Sequence, residues 1–176
     1  AQIAELLRRC QVPVLVIPQD LGPESSGLLA LFDGSAASNR ALPVAAAVAE
    51  RVGQALNIMA TGSEEESAEL EEMVERTMER SYAQWQLLLV QGGSIEELPR
   101  YAMAYGPALC VLGVEGGGAG ITTKFGPAPL DPVVRGLLDQ GSTPLLCVPE
   151  WGEPLQPRPL IGGQREPDPP SRTAQA

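Results

Sequence analysis

Two short segments carry groups that could hold a phosphorylated ligand: Asp33-Gly34-Ser35, and the glycine-rich run from Gly113 through Gly116 to Gly120. Each follows an apolar stretch. A carboxylate such as Asp33 accepts hydrogen bonds from a sugar hydroxyl or a base amine. A glycine-rich turn lets main-chain N–H groups approach a phosphate, and a following helix N-terminus adds a favourable dipole. Both segments also have a plainer reading, because aspartate before Gly-Ser forms turns and glycines after a strand make loops. Other chemistry is scarce. With no histidine in the chain, the commonest general base and imidazole metal ligand are both missing. There is no Gly-x-x-x-x-Gly-Lys-Ser/Thr loop, and no nucleophile stands beside a base, so a non-enzymatic protein without a metal centre is expected. A formal net charge of −10 argues against a nucleic-acid partner, since phosphate backbones are bound by clustered Lys and Arg.

These segments must be positioned by regular elements, and the order of elements is readable. Leu28–Phe32 is a short apolar strand running into Asp33-Gly34-Ser35. From about Ser38 to Val52 helical spacing follows, at Ala41, Ala45, Val48 and Val52. Pro43 is awkward there: either the helix starts near Leu42 with Pro43 in its first turn, or it is kinked. Leu56–Thr61 alternates like a strand. Residues 64–80 hold eight Glu and two Arg around an apolar stripe of Leu70, Met73, Val74, Thr77 and Met78, an amphipathic helix with an acidic face. Next come a strand over Trp85–Val90, a short helix over Ile95–Tyr105 and a continuous apolar strand over Ala108–Val114. After the glycine loop, a helix over 132–140 and a strand over 144–148 close the series. Such alternation predicts an open parallel five-stranded sheet with helices on both faces. In that architecture ligands sit beyond the carboxyl ends of the strands, where both candidate segments fall.

The start of the chain repeats near its end. At a constant offset of 131 residues, Leu6-Leu7 aligns with Leu137-Leu138, Pro13 with Pro144, and Leu15-Val16-Ile17-Pro18 with Leu146-Cys147-Val148-Pro149, without a gap. That spacing is one domain long. Residues 1–18 therefore read as the last helix and strand of a preceding domain, 19–26 as a linker and 27–149 as a whole domain. Residues 150–176, with six prolines, read as a disordered tail. No stretch approaches the ~20 apolar residues of a membrane span. The three cysteines lie far apart, two within apolar runs, which fits buried reduced thiols in a reducing compartment, taken as the cytoplasm.

Together the segments resemble the universal stress protein family. Leu28–Asp33-Gly34-Ser35 before an Ala-rich helix is similar to the opening of such a domain. Leu137–Val148 and Leu6–Ile17 both resemble its closing helix and strand. The resemblance covers about Gly27–Pro149, and implies a Rossmann-like stress-response module, found singly or in tandem. Members that bind ATP share Gly, two residues, Gly, nine residues, Gly, then Ser or Thr. Gly113, Gly116 and Gly126 fit the glycines, but Pro127 stands where the hydroxyl should be. Counted back from Pro144, Asp131-Pro132 occupies the helix entry instead, where Asp131 reads as an N-cap with Pro132 at N1. The resemblance implies Asp33, with Gly34 and Ser35, by the adenosine, and Thr61 or Ala60 at the adenine. Thr122, Thr123 and Lys124 of the longer loop are candidates for substitute phosphate contacts. ATP, with Mg, is thus the implied ligand, and the altered loop implies weak or absent binding.

Four readings follow: a regulatory module with a degenerate nucleotide loop, an ATP-dependent switch, a nucleotide hydrolase or adenylating enzyme on the same fold, and a sensor domain of a larger signalling or transport protein. The family's last strand commonly pairs with its counterpart. Pro144–Val148 is therefore expected to pair in a homodimer or tandem, and Val12–Ile17 could pair with it within one chain. The opening helix and strand would then lack their own parent sheet, leaving apolar surface exposed.

Overall fold

The structure, a computed structural model, describes residues 2–21, 27–114, 122–123, 126–127 and 132–150. Gly116, Lys124 and Asp131, most of the 19–26 linker and nearly all of the 150–176 tail lie outside the described residues. In chain order the elements are α1 (Gln2–Arg9), β1 (Val14–Val16), β2 (Leu28–Phe32), α2 (Ala36–Val52), β3 (Leu56–Gly62), α3 (Glu64–Met78) and β4 (Trp85–Gln91). A 3-10 turn over Ile95–Glu97 then leads into α4 (Leu98–Tyr105) and β5 (Leu109–Val114). The short strands β6 (Thr122–Thr123) and β7 (Gly126–Pro127) precede α5 (Pro132–Gln140) and β8 (Leu145–Pro149).

One sheet runs in the order β1-β8-β5-β2-β3-β4. The five strands from β8 to β4 are parallel to one another, as the alternation predicts. The sheet has six strands rather than five, because β1 adds antiparallel to β8. β2, at the centre, is buried along its whole length, as expected of a strand covered on both faces. One face packs Leu28, Ala30, Phe32, Ile58 and Val111 against α2 and α3 through Ala41, Ala45, Ala49 and Val74. The other packs Leu29, Leu31, Met59 and Leu112 against α4 and α5 through Leu98, Ala102, Val134 and Leu137. With so few aromatics, small alanines let α2 lie close on the sheet.

Helix boundaries follow from caps. α2 begins at Ala36, well before the start near Leu42 that would put Pro43 in the first turn, because Ser35 caps it: its Oγ accepts the Ser38 N–H at 3.2 Å. Pro43 therefore lies inside the helix. Its side chain points outward, since the residue is exposed. α3 is opened by a capping box in which Ser63 Oγ accepts the Glu66 N–H while the Ser63 N–H donates to Glu66 at 2.8 Å.

Candidate functional site

β2 and β5 are neighbours, yet the chain leaves β2 for β3 on one side and reaches β5 only after β4. The strand order thus reverses between them, the place where open α/β sheets bind ligands. Asp33, Thr61 and Gly113 sit at the carboxyl ends of three adjacent strands, β2, β3 and β5. A crevice of about 30 Å³, open to solvent, lies here. Leu31, Leu98, Leu112, Val133 and Val134 form its apolar walls, and Asp33, Ser35, Ser38 and Gly113 its polar rim.

The rim is built by the first turn of α2. The Ser35 N–H donates to Asp33 Oδ1 at 2.9 Å, closing a local turn. Ser38 Oγ donates to the Ser35 carbonyl at 3.0 Å. Asn39 Nδ2 donates to the same carbonyl at 2.9 Å, while its Oδ1 accepts from Thr77 Oγ1 of α3 at 3.0 Å. Partial burial opposes ionisation of Asp33, but the Ser35 and Ser38 hydroxyls and the Ser35 N–H outweigh it and hold its carboxyl below the ordinary aspartate range. The rim therefore presents a fixed carboxylate at neutral pH.

Packing by itself requires Gly113 to be glycine. A Cβ there would lie 2.2 Å from the Ala37 carbonyl carbon and 2.5 Å from the Ser38 nitrogen. Only a bare backbone lets the end of β5 pass beneath the start of α2. Gly34, at φ +76°, makes the turn, and a Cβ there would meet Met73 Cε at 3.1 Å. Thr61 lies beside this cluster at the end of β3 but does not line the crevice; a Cβ on Gly93 would approach its methyl. Gly126 is not in a simple loop: it pairs with Thr123, and Pro127 with Thr122, in a small antiparallel ladder. Ser38, 3% exposed, is the rim residue that the motif reading omits. The signal was present, a lone hydroxyl on the buried Ala37–Ala41–Ala45 stripe, three residues after a capping serine.

No protein-family model matches the sequence, and no characterised protein matches it at the level of sequence. Solved structures do. A universal stress protein from Archaeoglobus fulgidus DSM 4304 superposes with a TM-score of 0.63 at 20% identity, covering 85% of this chain and 54% of that one. Another, from the universal stress protein family of Burkholderia pseudomallei, gives 0.51 at 21%, covering 72% and 99%. The fold is that of the universal stress proteins. A third, a universal stress protein in complex with cAMP, gives 0.51 at 19% identity, covering 72% and 99%. Among the described residues no helix of this universal-stress-protein fold is long and apolar enough to cross a membrane.

Proposed function

We propose that the chain is a non-enzymatic regulatory module of the universal stress protein type, whose adenine-nucleotide site keeps its nucleoside end and has lost its phosphate end. The observation that carries this reading is the split between the two ends. The Asp33–Ser35–Ser38 rim over apolar walls suits a base and its sugar, polar groups fixing an otherwise apolar ligand. On the phosphate side Gly126 is followed by Pro127, which offers neither hydroxyl nor N–H, and both are rungs of a ladder. Weak or absent ATP binding, with or without Mg, follows. The cAMP held by one structural neighbour supports a nucleoside-sized ligand with little phosphate.

The tandem reading belongs here too. Leu6 is 52% exposed, whereas its repeat equivalent Leu137 is 1% exposed beneath its own sheet. This is the difference expected if α1 has been separated from a parent domain. The Archaeoglobus fulgidus DSM 4304 match, larger on this chain yet about half of that one, supports it as well. Free cysteines at all three positions suit a reducing cytoplasm. For the non-enzymatic part the test is incubation with Mg-ATP and measurement of released phosphate. Release no faster than in buffer is expected, and repeated turnover lost in Asp33→Ala would overturn the reading.

A further inference from the structure

The apolar surface of α2 does not end at the sheet. Arg40, Val44, Val48 and Val52 follow one another at intervals of four, so they form one column along a single side of the helix. The outer side of a surface helix is ordinarily polar, as that of α3 is with its run of glutamates. Here three valines follow one arginine. Val44 and Val48 are half-buried at the margin of the core, and Val52 is 54% exposed. Leu146 of β8 lies half-buried at the same margin. Leu15, opposite it in the ladder, faces the same way, because its neighbours Val14 and Val16 pack on the α4–α5 side. It is 52% exposed. Among the described residues, an apolar strip beside α2 thus stays open to solvent.

The chain leaves the sheet at the head of this strip. The Glu150 N–H donates to the Val114 carbonyl at 2.9 Å, and the Glu150 carbonyl accepts from Arg40 Nη1 at 3.0 Å. The residue that opens the valine column therefore holds the point from which residues 151–176 depart. The composition of that segment is uneven. Its large apolar residues are Trp151, Leu155, Leu160 and Ile161, and residues 162–176 contain none. Such side chains gain free energy by leaving water, which the remainder of the tail has little means to do. Pro154, Pro157 and Pro159 favour an extended chain that loses little entropy on docking and, lacking N–H groups, needs no strand partner. From Arg40 to Val52 the helix rises about 18 Å, a length that roughly six extended residues span. The stretch from Trp151 to Ile161 is longer than that.

We propose that Trp151–Ile161 folds back along α2 and covers the strip, with Trp151 and Leu155 over the valine column. The expectation of a disordered tail then applies only from residue 162. The chain's own tail is the occupant because it is tethered at the strip's head, where its effective concentration far exceeds that of any separate molecule. The proposal concerns the outer side of α2 and rests on neither the nucleotide reading nor the repeat.

The test is tryptophan fluorescence of the full chain carrying Trp85→Phe, which leaves Trp151 as its one tryptophan. Docking predicts a blue-shifted emission, several-fold weaker quenching by acrylamide than in the urea-unfolded chain, and no dependence on protein concentration. Val48→Lys should move the emission to the red and restore quenching while circular dichroism is unchanged. A Trp151 that emits as it does in the unfolded chain overturns the proposal, as does a blue shift that Val48→Lys leaves in place. A shift that grows with concentration assigns the strip to a second copy and overturns it too. Should Val48→Lys unfold the chain, thiol labelling decides. In a Cys10→Ser background, Leu155→Cys should react several-fold more slowly than Arg172→Cys, and equal rates overturn the proposal.

Discussion

At the scale of single residues, the rim is held together by side chains whose types leave little choice. Gly113→Ala should be poorly tolerated, because its Cβ would overlap backbone atoms of Ala37 and Ser38 that belong to a helix and cannot swing away. Overpacking costs about 1–3 kcal/mol and sometimes more, and this contact should fall at or above the top of that range in urea denaturation. Asp33 gives a pH signature. Its pKa is lowered in the folded chain, so the stability it contributes is complete above the ordinary aspartate value of 3.8. That stability is lost as the pH falls from there through the folded value. Asp33→Asn should flatten this acid limb of stability, read from thermal midpoints between neutral and acid pH. Asp33 and Ser35 are legible from sequence because a carboxylate and a capping hydroxyl advertise themselves at a strand end. Gly113 is legible as a glycine that matters, but not for its reason: the contact that requires it joins β5 to α2, elements distant in sequence.

At the scale of elements, periodicity and caps account for most boundaries. The acidic helix is found as Glu64–Met78, with Val74 and Met78 buried as its stripe requires. Ser63→Ala should destabilise the chain by about 1 kcal/mol, since it removes a side-chain N-cap, and chemical denaturation would show it. Pro43 misleads because proline ordinarily marks a first turn, whereas the Ser35 cap and the Asn39 side-chain bonds to Gly34 and Ser35 start α2 earlier. A proline within a helix lacks a donor and crowds the preceding turn. Pro43→Ala at this exposed position should therefore raise the melting temperature. The 3-10 turn before α4 escapes a reading by apolar spacing alone, because one short turn has too few residues to distinguish its period from that of an α-helix.

At the scale of the whole molecule, the alternation of strands and helices foretells the parallel sheet, and the repeat foretells that the opening strand resembles the closing one. The sixth position in the sheet depends on pairing between segments more than a hundred residues apart, which no local pattern encodes; only the repeat hints at it. The core is sealed around two thiols. Burial pushes Cys110 and Cys147 up to about 12, so neither forms a thiolate at neutral pH. A thiol reagent should modify Cys10 alone in the native chain and all three cysteines only after denaturation. The central claim concerns the ligand crevice at the switch point of the sheet, and calorimetric titration with AMP, ADP and ATP, with and without magnesium, tests it most directly. The account predicts weak or undetectable heat for all three, no gain from added phosphates or magnesium, and loss of any residual signal in Asp33→Ala. Tight binding of ATP that strengthens with each phosphate and with magnesium would contradict it.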